Sequence, residues 1–302
     1  MIYRIEHVTR YIYAAPVAIA RCLLRLTPRQ GAGQAVAAAR LTVAPAARER
    51  SEEIDFFGNG VSRVEFSAPE RRFELTSSML VRVERPEALM PALTLPWEEV
   101  RESAWAWSAS GPDAPCHVLF PSLLVPIGPA LTAYARQSFA PRRPVLAAAL
   151  ELAQRIRADF AYDPTATDVS TPVEEAFAKR RGVCQDFAHL MIAGLRGLGL
   201  PARYVSGYLR TKPPPGKPRL VGADATHAWV DVWAGAGAGW IGLDPTNAMA
   251  VHDDHVVVAV GRDYADVTPV SGVILAAGDH KLEVSVDMVE LGEREAVAAL
   301  AS

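Results

Sequence analysis

The chain reads as an α+β protein in two parts, a β-sandwich of short strands followed by a unit that mixes helices with a hairpin. Three stretches predict this. Residues 1 to 92 carry several short alternating runs. Phe187, Leu190, Met191, Gly194, Leu195 and Leu198 recur at helical spacing behind Cys184. Residues 224 to 245 alternate on both sides of a glycine-rich link.

The chain has 302 residues and half of them are apolar, enough for two cored domains. A net charge of −3 argues against a nucleic-acid partner. Four lysines against 27 arginines reflect base composition rather than function. Cys22, Cys116 and Cys184 are widely spaced and form no disulfide framework or zinc spacing, which suits the reducing cytoplasm. Met1 to Glu6 lacks the apolar core of a signal peptide. No run of about 18 apolar residues occurs, so no membrane span is expected.

In the N-terminal domain, residues 1–92, Tyr3, Ile5 and His7 alternate with Ile2, Arg4 and Glu6. Further strands are expected at Ala20 to Leu26, Ala37 to Val43, Val61 to Phe66 and Phe73 to Val83, with a hairpin turn at Gly58-Asn59-Gly60. A connecting segment, 93–145, is rich in proline and holds Trp97, Trp105 and Trp107, which are read as packing residues. The second unit is placed at 146–302. It opens with a helix from Leu146 to Phe160. Thr171-Pro172-Val173-Glu174 reads as a capping box for a helix reaching about Arg180 and ended by Gly182.

Cys184 then starts the next helix, which Gly199 and Pro201 stop. Unpaired N–H groups and the positive end of the dipole at that helix start favour a thiolate, the nucleophilic form. A strand from Ala202 to Arg210 follows, and Pro213 to Gly216 reads as a stiff loop at the rim of a cleft. In the hairpin, His227, Trp229, Asp231 and Trp233 share one face, and Trp240, Gly242 and Asp244 share the matching face. A two-residue turn at Gly235-Ala236 opposes His227 directly to Asp244. A loop wider by one residue pair makes them diagonal neighbours. Either register lets the carboxylate reach the imidazole. Cys184, His227 and Asp244 thus form a nucleophile, a base and an orienting group.

Gly-Val-Cys-Gln-Asp-Phe at 182–187, Thr-His-Ala-Trp-Val-Asp-Val-Trp at 226–233 and Gly-Leu-Asp-Pro-Thr-Asn at 242–247 resemble the three motifs of the transglutaminase-like superfamily. Tyr3 to Arg10, Asp55 to Asn59, residues 160–172 and Gly261 to Val267 are similar to its bacterial branch, which has its own N-terminal domain. The resemblance implies a papain-like core with the triad Cys184, His227 and Asp244. It implies a cysteine peptidase or amidase working on a peptide or protein through a thioester. Animal members have tryptophan after the cysteine; this chain has Gln185, which leans toward hydrolysis. Transfer to a primary amine and a non-catalytic binding module are the alternatives.

The Cys184 N–H is one expected oxyanion donor. Gln185 and Tyr162 are candidates for the second, and Trp229 for a wall of the acyl site. His189 lies about 140° round the helix from Cys184 and reads as packed or surface. His252 and His255 read as loop residues before a strand, Val256 to Val260, and Arg262-Asp263-Tyr264 as a buttress. No metal or cofactor is expected. Residues 281 to 290 read as a last strand, with a fraying Ala-rich end.

Overall fold

The computed structural model describes residues 1–31, 33–66, 70–87, 89–211 and 225–300. The rim loop at Pro213 to Gly216 lies outside the described residues. Six strands come first: β1 (Ile2–Val17), β2 (Ile19–Leu24), β3 (Gln34–Ala44), β4 (Glu49–Ile54), β5 (Gly60–Phe66) and β6 (Glu70–Val83). Then come α1 (Trp97–Trp105), α2 (Pro129–Arg136), α3 (Val145–Asp159), β7 (Ala161–Tyr162), α4 (Val173–Lys179), β8 (Arg181–Gly182) and α5 (Cys184–Gly197). The rest is β9 (Ala202–Leu209), β10 (Ala225–Trp233), β11 (Trp240–Asp244), β12 (Met249–Ala250), β13 (His255–Gly261), α6 (Tyr264–Val267), β14 (Val270–Leu275), β15 (His280–Glu290) and α7 (Glu293–Leu300).

The N-terminal strands build two four-stranded sheets, ordered β15-β1-β6-β3 and β14-β2-β5-β4. Tyr13, Val17, Leu41, Phe73 and Leu75 of the first sheet share a buried cluster with Ala20, Cys22, Leu24, Val64 and Phe66 of the second. Period-two alternation puts Tyr3, Ile5, Tyr11 and Tyr13 on one face of β1. The first two pack instead against Tyr208, Val256 and Val258 of a third sheet, ordered β12-β11-β10-β9-β13. One face of β1 therefore serves two cores and ties the two units together.

Strands β14 and β15 correct the expected bound of 146–302. Their partners are β2 and β1, with Val270 opposite Leu24 and Tyr3 opposite Glu290. Alternation marks a segment as a strand but does not say which edge it will join. The Ala-rich end also differs from expectation. It is α7, with Ala296 packed on Ile2 and Leu80 and Glu293 paired with Arg82 at 2.8 Å.

The connecting segment is part of the second core as well. Trp97, Val100, Leu131, Ala135 and Phe139 are buried with Phe187, Met191 and Leu195 of α5. Close helix approach makes this possible. A Cβ at Gly194 would meet Ala135 Cβ at 2.7 Å, and one at Gly197 would collide with Thr132. At α4 the expected capping box does not form. Pro172 is the cap residue, and the Thr171 hydroxyl accepts from Asp168 N at 2.9 Å. Arg180, at φ 55°, ends that helix two residues before Gly182.

Candidate active site

Three elements converge on Cys184. Parallel pairing of β7 and β8 sets Tyr162 opposite Gly182. Val183 caps α5, and Asp186 folds back so that its Oδ2 accepts from Val183 N at 2.8 Å and from Thr167 Oγ1 at 2.6 Å. A Cβ at position 182 would lie 2.5 Å from that oxygen, so only glycine fits beside it. Burial raises the Asp186 pKa, and the hydrogen bonds from Thr167 and Val183 oppose that rise. At the far end, Gly199 at φ 79° and a Leu200 N to Leu195 O bond at 3.0 Å close α5 as a Schellman turn. Cys184 is half-buried in the first turn, where its N–H has no intrahelical carbonyl to meet.

The hairpin adopts the wider register. Val230 lies opposite Leu243, and Trp233 opposite Trp240. His227 and Asp244 are therefore diagonal, and His227 Nε2 donates to Asp244 Oδ2 at 2.8 Å. Asp244 is fully buried and has further donors in Thr246 N (2.8 Å), Asn247 N (3.1 Å), Asn247 Nδ2 (2.6 Å) and His255 Nε2 (3.4 Å). Asp244-Pro245-Thr246-Asn247 is thus an Asx turn that satisfies the carboxylate locally. Burial alone would raise Asp244. The bonds from His227, His255 and Asn247 overcome it and hold the group well below the carboxylate range.

His227 responds in the opposite sense. Burial alone would lower it, but hydrogen bonds to Asp244 and to the Cys184 side chain lift it to about 9. At neutral pH the ring is thus held as an imidazolium between a carboxylate and the sulfur. That arrangement sets an acid beside the sulfur and keeps a proton ready for a leaving group.

The other candidates separate. Tyr162 is half exposed and stands edge-on to Phe187 at 6.3 Å; burial, then the nearby Cys184, raises its phenol pKa. It remains beside the sulfur and open to a substrate. Gln185 is buried and its amide donates to Val169 O at 3.1 Å, so it tethers the loop before α4. Trp229 is fully buried with Val205 and Val260, so it cannot wall an acyl site. Trp233 stands edge-on to Trp107, and Trp240 lies under Arg203, so the three tryptophans form no common wall. His189 is buried, accepts from Tyr264 N at 3.2 Å, and is pulled down to about 4 by burial. Asp263 caps α6 and accepts from Leu124 N, a buttress as expected. His255 corrects its loop reading, since it is the first residue of β13, fully buried and bonded to Asp244. Its position immediately before an apolar strand run was the available signal.

The core model of the transglutaminase-like superfamily matches residues 132–245, and the bacterial transglutaminase-like N-terminal region matches residues 3–82. The chain belongs to the transglutaminase-like superfamily. An uncharacterized protein of Mycobacterium tuberculosis is 43% identical over 297 residues, covering 95% of this chain and 92% of that protein. One from Mycobacterium leprae is 34% identical over 294 residues, covering 95% and 98%. A protein-glutamine gamma-glutamyltransferase of Pseudomonas aeruginosa is 34% identical over 116 residues, 38% of this chain and 17% of that protein. Among solved structures, a "Putative Cysteine Protease" from Cytophaga hutchinsonii covers 97% of this chain and 91% of its own, with a TM-score of 0.74 at 23% identity. That likeness extends the shared fold over both units. The superfamily core begins inside α2, which agrees with the packing of α2 against α5.

Proposed function

We propose that this protein is a cysteine-nucleophile hydrolase of peptide or carboxamide bonds, with Cys184, His227 and Asp244 as its triad. The observation that carries the reading is the His227 imidazole held between Asp244 and Cys184 and lifted to about 9. The Cys184 thiolate attacks the substrate carbonyl carbon, and the carbonyl oxygen becomes an oxyanion. In this reading the Cys184 N–H, at the helix start, donates to it, and the Tyr162 hydroxyl, on the strand paired beside Gly182, is the second donor. His227 gives its proton to the leaving nitrogen as the C–N bond breaks, leaving a thioester. It then takes a proton from water, whose hydroxide attacks the thioester, releasing the acid and returning the thiolate beside the imidazolium. Asp244 holds the ring in place throughout.

A second reading, transfer of the acyl group to a primary amine, is favoured by the match to the Pseudomonas transferase. Against it stands the buried Trp229, which leaves the hairpin without an aromatic wall to concentrate an amine against abundant water. The free cysteines fit action in a reducing compartment, the cytoplasm. Incubation with a proteome, scored for new N-termini, released ammonia and incorporated amine, tests the assignment against Cys184→Ala. New N-termini or ammonia dependent on Cys184 are expected. Amine incorporation as the main product, or no difference between the two proteins, contradicts it.

A further inference from the structure

Asp244 Oδ2 is shared by two imidazoles. His227 Nε2 lies 2.8 Å away and His255 Nε2 3.4 Å away, with the two rings 6.3 Å apart. Both His255 and Asp244 are fully buried. The His255 ring is fixed on its other sides, edge-on to Trp229 at 5.3 Å and to His252 at 4.9 Å. Its Nδ1 accepts from His252 N at 3.4 Å. A nitrogen that faces a backbone N–H cannot itself carry a proton, so Nε2 carries it and points at the carboxylate.

We propose that His255 is a positioning residue of the triad, a neutral Nε2–H donor that pins Asp244 Oδ2 so that the carboxylate orients His227. The inference rests on the triad reading above and adds a fourth member to it. A carboxylate held by Asn247 on one side and His255 on the other cannot rotate away from the base. Sharing Oδ2 among three donors also limits how far Asp244 raises the basicity of His227, whose other ring nitrogen must give its proton to the substrate nitrogen.

The same atoms resemble a metal site, since His227, Asp244 and His255 each offer a ligand atom within 4.8 Å of the others. The tautomer argues against it. A metal needs the His255 Nε2 lone pair, which would put the proton on Nδ1 against His252 N–H. Burial lowers the His255 pKa, and Asp244 opposes that, which agrees with a neutral ring. The other charged groups nearby are accounted for. His227 and His252 face His255, Arg85 Nη2 donates to its backbone oxygen at 2.9 Å, and Asp254 is turned to Arg210 and Tyr3.

The test is a histidine-selective ¹⁵N NMR titration of the whole protein, which needs no substrate. In the wild type, His255 should hold the neutral Nε2–H form from about pH 5 to 8. In His255→Leu the His227 midpoint should move up by about half a pH unit or more, because less of the carboxylate charge is shared. In His255→Gln, which keeps a neutral donor, the midpoint should stay at the wild-type value. An Nδ1–H or cationic His255 in the wild type overturns the proposal even if the leucine variant fails to fold. An unmoved His227 midpoint in a folded His255→Leu overturns it too. So does joint perturbation of His227 and His255 by one equivalent of zinc chloride, which assigns the cluster to a metal. A protein that passes this titration but turns over no substrate refutes the hydrolase reading and leaves this one standing.

Discussion

Asp244 and His227 are diagonal neighbours on the hairpin, yet their side chains meet at 2.8 Å. The diagonal offset is bridged because the Asx turn at Asp244 aims Oδ1 at its own backbone and leaves Oδ2 for the imidazoles. Replacing Asp244 with Asn removes the charge but keeps the shape. We expect kcat to fall by about 10³- to 10⁴-fold with little change in KM, as for other triads that lose this charge. Steady-state kinetics on a peptide substrate check this, and a loss under tenfold contradicts the role.

Tyr162 should reveal itself through kcat as well. Removing one oxyanion donor costs about 10²- to 10³-fold in kcat, because the bond matters once charge develops. Tyr162→Phe should show that loss with KM nearly unchanged. Gln185→Ala should instead act through the loop it tethers at Val169, raising KM more than it lowers kcat. The reverse split between the two variants contradicts both assignments.

Gly182→Ala should disturb the start of α5. The added methyl would lie 2.5 Å from Asp186 Oδ2, so the carboxylate must leave Val183 N or the strand must shift. Overpacking of this kind costs about 1–3 kcal/mol. A lowered thermal midpoint together with slower Cys184 alkylation is expected. Unchanged stability and labelling contradict the steric account.

Thiol reactivity should be confined to Cys184. Cys22 is buried in the N-terminal cluster, and burial pushes its thiol up to about 11. Cys116 lies outside the helix start that holds Cys184, with its Sγ directed at Ala109 O. Brief iodoacetamide treatment should give one adduct by peptide mass mapping. Faster labelling at Cys22 or Cys116 is the contrary result.

Stability should peak between the two sets of histidines. His7 and His189 are buried and pulled down to about 4, so the unfolded chain binds more protons than the folded one between about pH 4 and 6.5. Stability is lost there as pH falls. His227 is raised to about 9, so the folded chain binds the extra proton between about 6.5 and 9. That contribution is full below 6.5 and is lost as pH rises through 9. Thermal midpoints should therefore be highest near neutrality, and His227→Gln should flatten the alkaline limb. A limb that keeps its slope in the variant contradicts the assignment.

Much of this site is legible in the sequence because each part announces itself locally. Helical spacing and Gly199 place Cys184 at a helix start, and alternation places His227 and Asp244 on matching hairpin faces. What stays hidden is what depends on distant partners. His255 follows Asp244 by 11 residues, through turns and the two-residue β12, so no period connects them. Asp186 carries half of a capping pattern, but with Val183 in the cap position it does not look like one. Of the late strands only β15 is legible in the sequence, while β14 is not, and the places of both beside β2 and β1 depend on distant partners. Trp229 alternates with His227 like a site residue. It is buried because Gly207 opens space beneath it, where any Cβ would overlap its ring.

Cys184 is expected to form a thioester that water resolves. Intact-mass spectrometry of an acid-quenched reaction with an activated peptide ester tests it directly, run with and without a primary amine at millimolar concentration. One acyl adduct mapped to Cys184 is expected, with none on Cys184→Ala and discharge mainly to the free acid even with the amine present. An adduct elsewhere, or discharge mainly to the amide, would contradict it.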